Sequence, residues 1–256
     1  MLNKLLQKLQ TVIWFLRKPR YIPHIFQILR RQRNTEETGK ESLEWCKKNV
    51  SNQKEVLKQI TGKKNFFNLD EIFPEIMEKA HYKADNCPVK MGGEGAIVFL
   101  YNITKAIRAK KIVETGVAYG WSTLAILLAI KDDERAKLIS NDMPYIKMNN
   151  DDYVGCVIPD FLKGKWELQR LPDVKGIPLA LKKFHNQIDL CHYDSDKSYS
   201  GRMFGYPILW NALKDNGIFI SDDIQDNAAF KNFAGSQSKT PLIFEYREKF
   251  VGLMIK

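Results

Sequence analysis

The sequence predicts an α/β fold, with a doubly wound, mostly parallel sheet, a terminal antiparallel strand and an N-terminal helical extension. From Met91 onward, short apolar stretches alternate with helical patterns, which is typical of a parallel sheet covered by helices on both faces. The last two apolar stretches, 241–249 and 250–255, leave no room for a helix between them. We therefore expect these two strands to pair antiparallel.

The elements of this core are expected in a fixed order. A helix around 97–103 should lead into a strand near Ile112, and Gly116 and Gly120 should turn that strand into an apolar helix. Further strands are predicted at 136–142, 166–170, 188–193 and 218–221, the last after a turn at 214–217. Helices are predicted at 177–185 and within 199–213.

We divide the chain into three parts, which are a basic amphipathic segment (1–33), a helical extension (34–90) and the main domain (91–256). Residues 34–40 have the composition of a hinge. Residues 69–81 place apolar side chains along one helix face, and Pro74 is expected to delay the start of that helix by a turn. We interpret 34–90 as a lid or a wall of the substrate pocket.

The net charge of +10 is concentrated at the N-terminus, because residues 1–33 contain eight Lys or Arg and no acid, which leaves +2 for the other residues. A basic face across the main domain is not indicated, so we expect no nucleic-acid partner. The four cysteines are scattered, without C-x-x-C spacing, and predict reduced thiols in a cytoplasmic protein rather than disulfides or a zinc site.

Residues 2–16 have the spacing of an amphipathic helix, and Pro19 ends it. The apolar runs are shorter than the ~18 residues that span a bilayer. This segment is also a poor match to a signal peptide. Two interpretations stay open, which are peripheral binding to anionic lipid and docking on the chain's own domain or on a partner subunit, including a homo-oligomer.

The segment that follows the strand near Ile112 has the spacing Glu114-x-Gly116-x-x-x-Gly120-x-Ser122. Gly116 permits a turn that a side chain would forbid and lets a ligand approach the main chain. Gly120 would let the helix start pack against the strand, Ser122 or Thr123 would cap the helix, and Glu114 would accept hydrogen bonds from a cationic ligand. The dinucleotide fingerprint needs a glycine where Ala118 stands, so a nicotinamide or flavin cofactor is disfavoured.

Acidic side chains follow three of the predicted strands, and the carboxyl ends of such strands share one sheet edge. Asp142 is expected to bond ribose hydroxyls, with a turn or helix cap as the alternative. Asp194, Asp222 and Asp223 would repel one another unless a cation lies between them. Oxygen ligands suit Mg²⁺ or another divalent cation. The alternative is that these acids cap helices and face water.

These motifs resemble those of a known family. The glycine turn resembles motif I of the class I S-adenosylmethionine-dependent methyltransferases, which implies a Rossmann-like sheet and that cofactor. The phrase Asp194-Ser195-Asp196-Lys197-Ser198-Tyr199, with Asp222-Asp223, resembles the metal-dependent O-methyltransferases. The paired aspartates are similar to the macrocin-type sugar enzymes, whereas the lysine is more like the catechol and caffeoyl-coenzyme A enzymes.

The resemblance implies roles for individual residues. Lys197 would be the catalytic base, with its pKa lowered by the neighbouring cation, and Asp194, Asp222 and Asp223 would be the metal ligands. Residues that would bind the cofactor are Glu94, Glu114, Gly116, Tyr119, Gly120, Ser122 and Asp142. We therefore predict a cation-dependent O-methyltransferase for a small hydroxylated acceptor, such as a sugar, a glycoside or a catechol-like molecule. A metal-independent methyltransferase and a non-catalytic cofactor-binding or membrane-peripheral scaffold are the alternatives.

Overall fold

A computed structural model describes residues 11–22, 36–62, 66–144 and 150–256 of the chain. These residues form an eight-stranded mixed sheet with helices on both faces. The strands are β1 Val50–Ser51, β2 Lys111–Thr115, β3 Lys137–Asn141, β4 Trp166–Gln169, β5 Ile188–Tyr193, β6 Leu213–Ser221, β7 Leu242–Tyr246 and β8 Lys249–Ile255. The helices are α1 Glu36–Asn49, α2 Gln53–Thr61, α3 Leu69–Ile72, α4 Pro74–Asp85, α5 Ile97–Ala106, α6 Trp121–Ile130, α7 Asp173–Lys183, α8 Tyr199–Ala212 and α9 Ala229–Ser236.

The strand order across the sheet is β1-β7-β8-β6-β5-β2-β3-β4. The order reverses beside β2, because β2 pairs in parallel with both β3 and β5. Strand β8 lies between β6 and β7 and pairs antiparallel with both. The predicted sheet, parallel in its main part with a terminal antiparallel strand, is therefore confirmed.

Alternate side chains of the central strands feed two apolar clusters, one on each face of the sheet. Ile112, Leu138 and Leu190 belong to one cluster, and their chain neighbours Val113, Ile139 and Cys191 belong to the other. This alternation follows from the strand geometry, in which successive side chains point to opposite faces. Both faces of the sheet are therefore covered, which keeps its carboxyl edge as the accessible place for ligands.

Several predicted boundaries are wrong. The hinge expected at 34–40 is helical from Glu36 onward, since the run Glu36–Asn49 is rich in helix-forming residues. Helix α7 begins at Asp173 rather than at 177, because Pro172 precedes it and Asp173 suits the first turn. The turn expected at 214–217 lies at the irregular start of β6, where Asn216 has a φ of 63°. Helix α9 and strand β1 were not predicted.

The extension 34–90 packs against the same core as the sheet. Val56, Leu69 and Met77 belong to the apolar cluster that contains Ile112, and strand β1 pairs in parallel with β7. The expected break at Pro74 is confirmed, because α3 ends at Ile72 and α4 begins at Pro74. The three-part division of the chain and the role of 34–90 as a lid stay predictions.

The N-terminal helix, residues 11–17, docks on the domain through one face. Trp14, Phe15 and Tyr21 are buried and pack with Met143. The remainder of the predicted helix, residues 2–10, lies outside the described residues. Among the described helices, none is long and apolar enough to cross a bilayer.

Candidate active site

The site forms where β2, β5 and β6 end side by side. The main-chain N–H of Asp194 donates to the carbonyl oxygen of Thr115 at 2.9 Å, and the N–H of Asp222 donates to the carbonyl oxygen of Tyr193 at 3.1 Å. These bonds continue the parallel pairing one residue beyond each strand. The glycine turn after β2 and the acids after β5 and β6 are thus tied to one edge.

The glycine turn has the backbone that the motif predicts. Gly116 has a φ of 83°, and a Cβ at this position would lie 2.4 Å from the carbonyl oxygen of Asp194. A side chain is therefore excluded by the strand beside it as well as by φ. Gly120 has a φ of 95°, and its Cβ would meet Gly155 and Ile158, so it packs against that loop rather than against the strand.

Ser122 and Thr123 do not cap the helix that follows the turn. Helix α6 has Gly120 as its N-cap and lacks a side-chain capping bond. The hydroxyls of Ser122 and Thr123 instead donate to the carboxylate of Glu114, each at 2.6 Å. The predicted cap is wrong because the helix begins at Trp121, so both hydroxyls lie inside its first turn and the N-cap position belongs to Gly120.

Glu114 is a buried junction between strand and helix. Its side chain is fully buried, and Oε2 accepts a third hydroxyl bond, from Ser140 at 2.6 Å. In this structure the carboxylate therefore ties β2 to β3 and α6. A direct contact of Glu114 with a cofactor stays a prediction.

Asp142 lies at the end of β3, beside the glycine turn. Its Oδ2 accepts the main-chain N–H of Ala118 at 3.2 Å and pairs with Nη1 of Arg170 at 3.2 Å. Burial raises the pKa of Asp142, and the charge of Arg170 and the N–H of Ala118 oppose that rise. A contact of Asp142 with ribose hydroxyls stays a prediction.

Two further predicted cofactor residues border this edge. Tyr119 is buried, and its hydroxyl donates to the carbonyl oxygen of Val89 at 2.9 Å. Glu94 pairs with His81 at 3.4 Å and with Arg247 at 3.3 Å. The loop that carries Glu94 approaches the acids, since a Cβ on Gly95 would lie 3.8 Å from Oδ2 of Asp222. Cofactor contacts of Tyr119, Gly120, Ser122 and Glu94 stay predictions.

Two ammonium groups lie among the predicted metal ligands. Nζ of Lys197 lies 3.0 Å from Oδ1 of Asp194 and also bonds Asp223. Nζ of Lys249 lies 3.1 Å from Oδ1 of Asp223. Burial would raise the pKa of Asp223, but these two lysines outweigh burial and lower it. The pKa of Asp194 is raised by burial and by the charge of Asp222.

The lowering of the pKa of Lys197 is expected beside a bound cation, and it stays a prediction. Burial would lower that pKa, but the carboxylates of Asp194 and Asp223 outweigh burial and raise it. Lys197 is thus the cationic partner of two of the acids.

His192 links the two halves of the site. Its buried imidazole has Nδ1 3.7 Å from Oε1 of Glu114 and Nε2 3.3 Å from Oδ1 of Asp222. Burial would lower the pKa of His192, but the carboxylates of Asp222 and Glu114 outweigh burial and raise it to about 10. His192 thus lies between Glu114, on the strand that precedes the glycine turn, and Asp222.

The predicted metal ligands are of the chemical type that binds a hard cation. Asp194, Asp222 and Asp223 supply carboxylate oxygens at the same edge of the sheet, and such oxygens are the ligands that Mg²⁺ prefers. In the described part of the chain, no group of three His, Cys, Asp or Glu side chains is arranged to hold a metal ion. The geometry present is that of carboxylates closed around Lys197, so a divalent ion would have to displace this ammonium.

Several residues of the site were missed by the sequence prediction. Arg202 is fully buried, and Nη2 donates to the carbonyl oxygens of Asp222 at 3.1 Å and Asp223 at 2.8 Å. It shares a helix face with the buried Tyr206 and Leu209, and a charge at that spacing was the available signal. Lys249 and Arg170 carried no such signal, because only the folded chain brings them to the acids.

Comparisons with known proteins point to methyltransferases. A family model described as a methyltransferase domain matches residues 113–224. The caffeoyl-CoA O-methyltransferase of Mesembryanthemum crystallinum is 28% identical in an alignment of 192 residues, and the match covers 66% of this chain and 71% of that protein.

Two solved structures show the likeness of the fold. An O-methyltransferase from Bacillus cereus in complex with SAH is 13% identical, covers 73% of this chain and 95% of its own, and has a TM-score of 0.58. The O-methyltransferase TomG from Streptomyces achromogenes, in complex with SAM, is 10% identical, covers 75% and 97%, and has a TM-score of 0.53. The sheet, the glycine turn and the family match over residues 113–224 together support a class I S-adenosylmethionine-dependent methyltransferase that is similar to the O-methyltransferases.

Proposed function

We propose that this enzyme transfers the methyl group of S-adenosylmethionine to a hydroxyl oxygen of a small molecule such as a sugar, a glycoside or a catechol-like compound, with the help of a divalent cation. The observation that carries this proposal is the contact between Gly116 and Asp194. It brings the turn that would hold the methyl donor against the acids that would hold the acceptor. The caffeoyl-CoA O-methyltransferase relative supports oxygen as the atom that is methylated.

The donor half of the site is formed by the turn and by Asp142. Because Gly116 lacks a Cβ, the turn can pass directly against the main chain of Asp194. Asp142 would accept hydrogen bonds from ribose hydroxyls, and the N–H of Ala118 keeps its carboxylate at the turn. Glu114 fixes the start of α6 through Ser122 and Thr123, which preserves the shape of the turn.

The acceptor half of the site is formed by Asp194, Asp222 and Asp223, which would hold Mg²⁺ or another divalent cation. Such a cation, when bound, lowers the pKa of an attached hydroxyl. Lys197 would leave the carboxylates, lose its proton to solvent and then take the proton of the acceptor hydroxyl. Arg202 would keep the Asp222–Asp223 turn in place through its two main-chain hydrogen bonds.

A metal-independent transfer is the second candidate, and one observation favours it. Asp223 already has two ammonium partners, Lys197 and Lys249, so the acids are neutralised without a metal. In that case the site would orient the acceptor by hydrogen bonds alone, and alignment with the methyl donor would supply much of the acceleration.

Calorimetry and a methylation assay distinguish these readings. The pure protein should bind S-adenosylhomocysteine, and turnover on a panel of sugars and catechols should stop in EDTA and return with Mg²⁺. Asp222→Asn should weaken Mn²⁺ binding at least tenfold, whereas the exposed Asp160→Asn should leave it unchanged. Absence of S-adenosylhomocysteine binding would reject the proposal. Turnover that is unaffected by EDTA and by Asp222→Asn would establish the metal-independent reaction.

A further inference from the structure

The N-terminal segment is joined to the cofactor side of the site by a continuous set of contacts. Nζ of Lys18 lies 2.5 Å from Oδ2 of Asp151, and the hydroxyl of Tyr21 donates to the carbonyl oxygen of Arg170 at 2.8 Å. Nη2 of Arg170 lies 2.9 Å from Oδ1 of Asp151, and Nη1 lies 3.2 Å from Oδ2 of Asp142. The acid beside the glycine turn is thus connected to residues about 120 positions earlier in the chain.

Apolar packing holds this segment at the same place. Trp14 and Phe15 pack edge to face with ring centroids 5.0 Å apart, and Tyr21 stacks near Trp14 at 5.5 Å. Met143, the residue after Asp142, packs against this cluster. Burial of three aromatic side chains contributes several kcal/mol, on the order of 2 kcal/mol each, which is enough to keep a short segment docked.

The position of Asp142 therefore depends on the segment. Asp142 is almost fully buried, and its Oδ2 is held by Ala118 and Arg170. These two contacts fix the plane of the carboxylate and hence the direction of Oδ1. Arg170 in turn has its main chain bonded by Tyr21 and its guanidinium paired with Asp151, whose other oxygen bonds Lys18.

We propose that residues 14–21 are part of the cofactor site, where Tyr21 and Lys18 act as positioning residues for Arg170 and Asp142. This inference rests on the proposed cofactor site. The segment orders the acid that bonds the ribose before the cofactor arrives, so less ordering is required on binding. Arg170 limits the repulsion between Asp142 and Asp151 at the same time.

The test uses the full chain and titration calorimetry with S-adenosylhomocysteine. The double variant Tyr21→Phe, Lys18→Gln removes the two polar contacts and keeps the aromatic packing. We expect its dissociation constant to rise at least tenfold, while the midpoint of thermal unfolding without ligand stays within about 2 °C of the wild type. The single variant Lys18→Arg should keep most of the wild-type affinity, because it keeps a cation beside Asp151.

Matched controls are present in the same chain. Val12→Ala, on the exposed side of the N-terminal helix, and Tyr82→Phe, at an exposed tyrosine, should both bind like the wild type. Binding by the double variant within twofold of the wild type would overturn the inference. A wild-type protein that does not bind S-adenosylhomocysteine would instead reject the proposed function, so the two failures are distinguishable.

A separate observation concerns the outer face of the same helix. Val12, Ile13 and Leu16 are 53%, 39% and 68% exposed, and Arg17 is also exposed beside them. At helical spacing these four residues lie opposite Trp14 and Phe15. The stretch 1–33 that contains this face has eight basic residues and no acid.

We infer that this outer face binds an anionic lipid surface. Apolar side chains next to cations match the two parts of such a surface, which are the acyl boundary and the charged headgroups. The opposite face keeps the catalytic domain attached, because Trp14 and Phe15 remain buried against it. This assignment concerns the outer face alone and is independent of the cofactor contacts.

Sedimentation with lipid vesicles tests the assignment. The full chain should sediment with vesicles of phosphatidylcholine containing 30% phosphatidylglycerol and remain in solution with phosphatidylcholine alone. The double variant Val12→Glu, Leu16→Glu should reduce the bound fraction at least fivefold, whereas Leu179→Glu, at an exposed leucine of α7, should not. Unchanged binding by the double variant would overturn the inference. So would a change in oligomeric state without a change in vesicle binding, since the face would then be an interface between copies.

Discussion

The main-chain N–H of Asp194 donates a 2.9 Å hydrogen bond to the carbonyl oxygen of Thr115, which precedes the glycine turn. This bond places the first acid of one motif directly beside the glycine of the other. A methyl donor held at Gly116 and an acceptor held at Asp194 would therefore meet without any movement of the sheet. Strand pairing places the glycine turn beside Asp194, and the side chains of the proposed site supply its charges.

Gly116→Ala should damage both the fold and the site. The new Cβ would lie 2.4 Å from the carbonyl oxygen of Asp194 at a φ of 83°, so crowding and backbone strain add. We expect a loss of roughly 2–4 kcal/mol in the free energy of unfolding, measured in urea. Binding of S-adenosylhomocysteine should be lost. Gly164→Ala has open space around the Cβ and should be neutral; equal effects of the two variants would contradict this account.

Lys197→Ala should separate catalysis from binding. Loss of a general base typically lowers turnover by about 10²–10⁴-fold, while binding of S-adenosylhomocysteine should stay within twofold of the wild type. Because the ammonium of Lys197 occupies the position between Asp194 and Asp223, its removal should also tighten Mn²⁺ binding. Mn²⁺ affinity can be followed by electron paramagnetic resonance. Weaker Mn²⁺ binding in the variant would show that Lys197 does not compete with the ion, and Lys131→Ala is the exposed control.

Arg202→Met should destabilise the end of β6. The variant leaves the carbonyl oxygens of Asp222 and Asp223 without their buried donor, at a cost of about 2–4 kcal/mol in the free energy of unfolding. Arg202→Lys keeps a cation and should recover part of that loss. The exposed Arg135→Met should change stability by less than about 0.5 kcal/mol, so a similar loss in both variants would argue against the assigned role.

Asp173 should make stability depend on pH. Its carboxylate accepts hydrogen bonds from Ser195 at 2.6 Å and Asn141 at 2.8 Å, and burial raises its pKa to about 6 from an ordinary 3.8. A raised carboxyl pKa means that the folded state keeps the proton up to a higher pH than the unfolded chain does. The stabilising contribution is therefore fully present below about pH 4 and is lost as the pH rises through about 6.

The variant Asp173→Asn mimics the protonated form and measures this effect. Urea unfolding of the two proteins should give similar free energies at pH 4, where both side chains are neutral. At pH 7.5 the variant should be more stable by about 1–2 kcal/mol, less than the full linkage because the first turn of α7 favours the charged form. A difference that does not change between the two pH values would contradict the assigned pKa.

The residue pattern was sufficient to predict the sheet and to locate the motifs that form the site. The alternation after Met91 predicted the parallel strands, and the final pair of strands predicted the antiparallel hairpin, because each of these signals is local and repeats at the period of its element. The same local signals failed at Asp173 and at Glu36, where neighbouring residues and tertiary packing set the helix starts. Boundaries depend on those contacts more than on composition.

What the sequence by itself determined is the set of elements, the glycine turn at Gly116 and the acids that follow the strands, since strand and turn preferences reside in short stretches of chain. Only the tertiary structure decided which charges meet. Lys249, Arg202 and Arg170 reach the acids from distant elements, and Lys197 lies between Asp194 and Asp223, whose charges raise its pKa. The reason is physical, because the protonation state of a buried group depends on the charges around it in space, and chain position does not encode that neighbourhood.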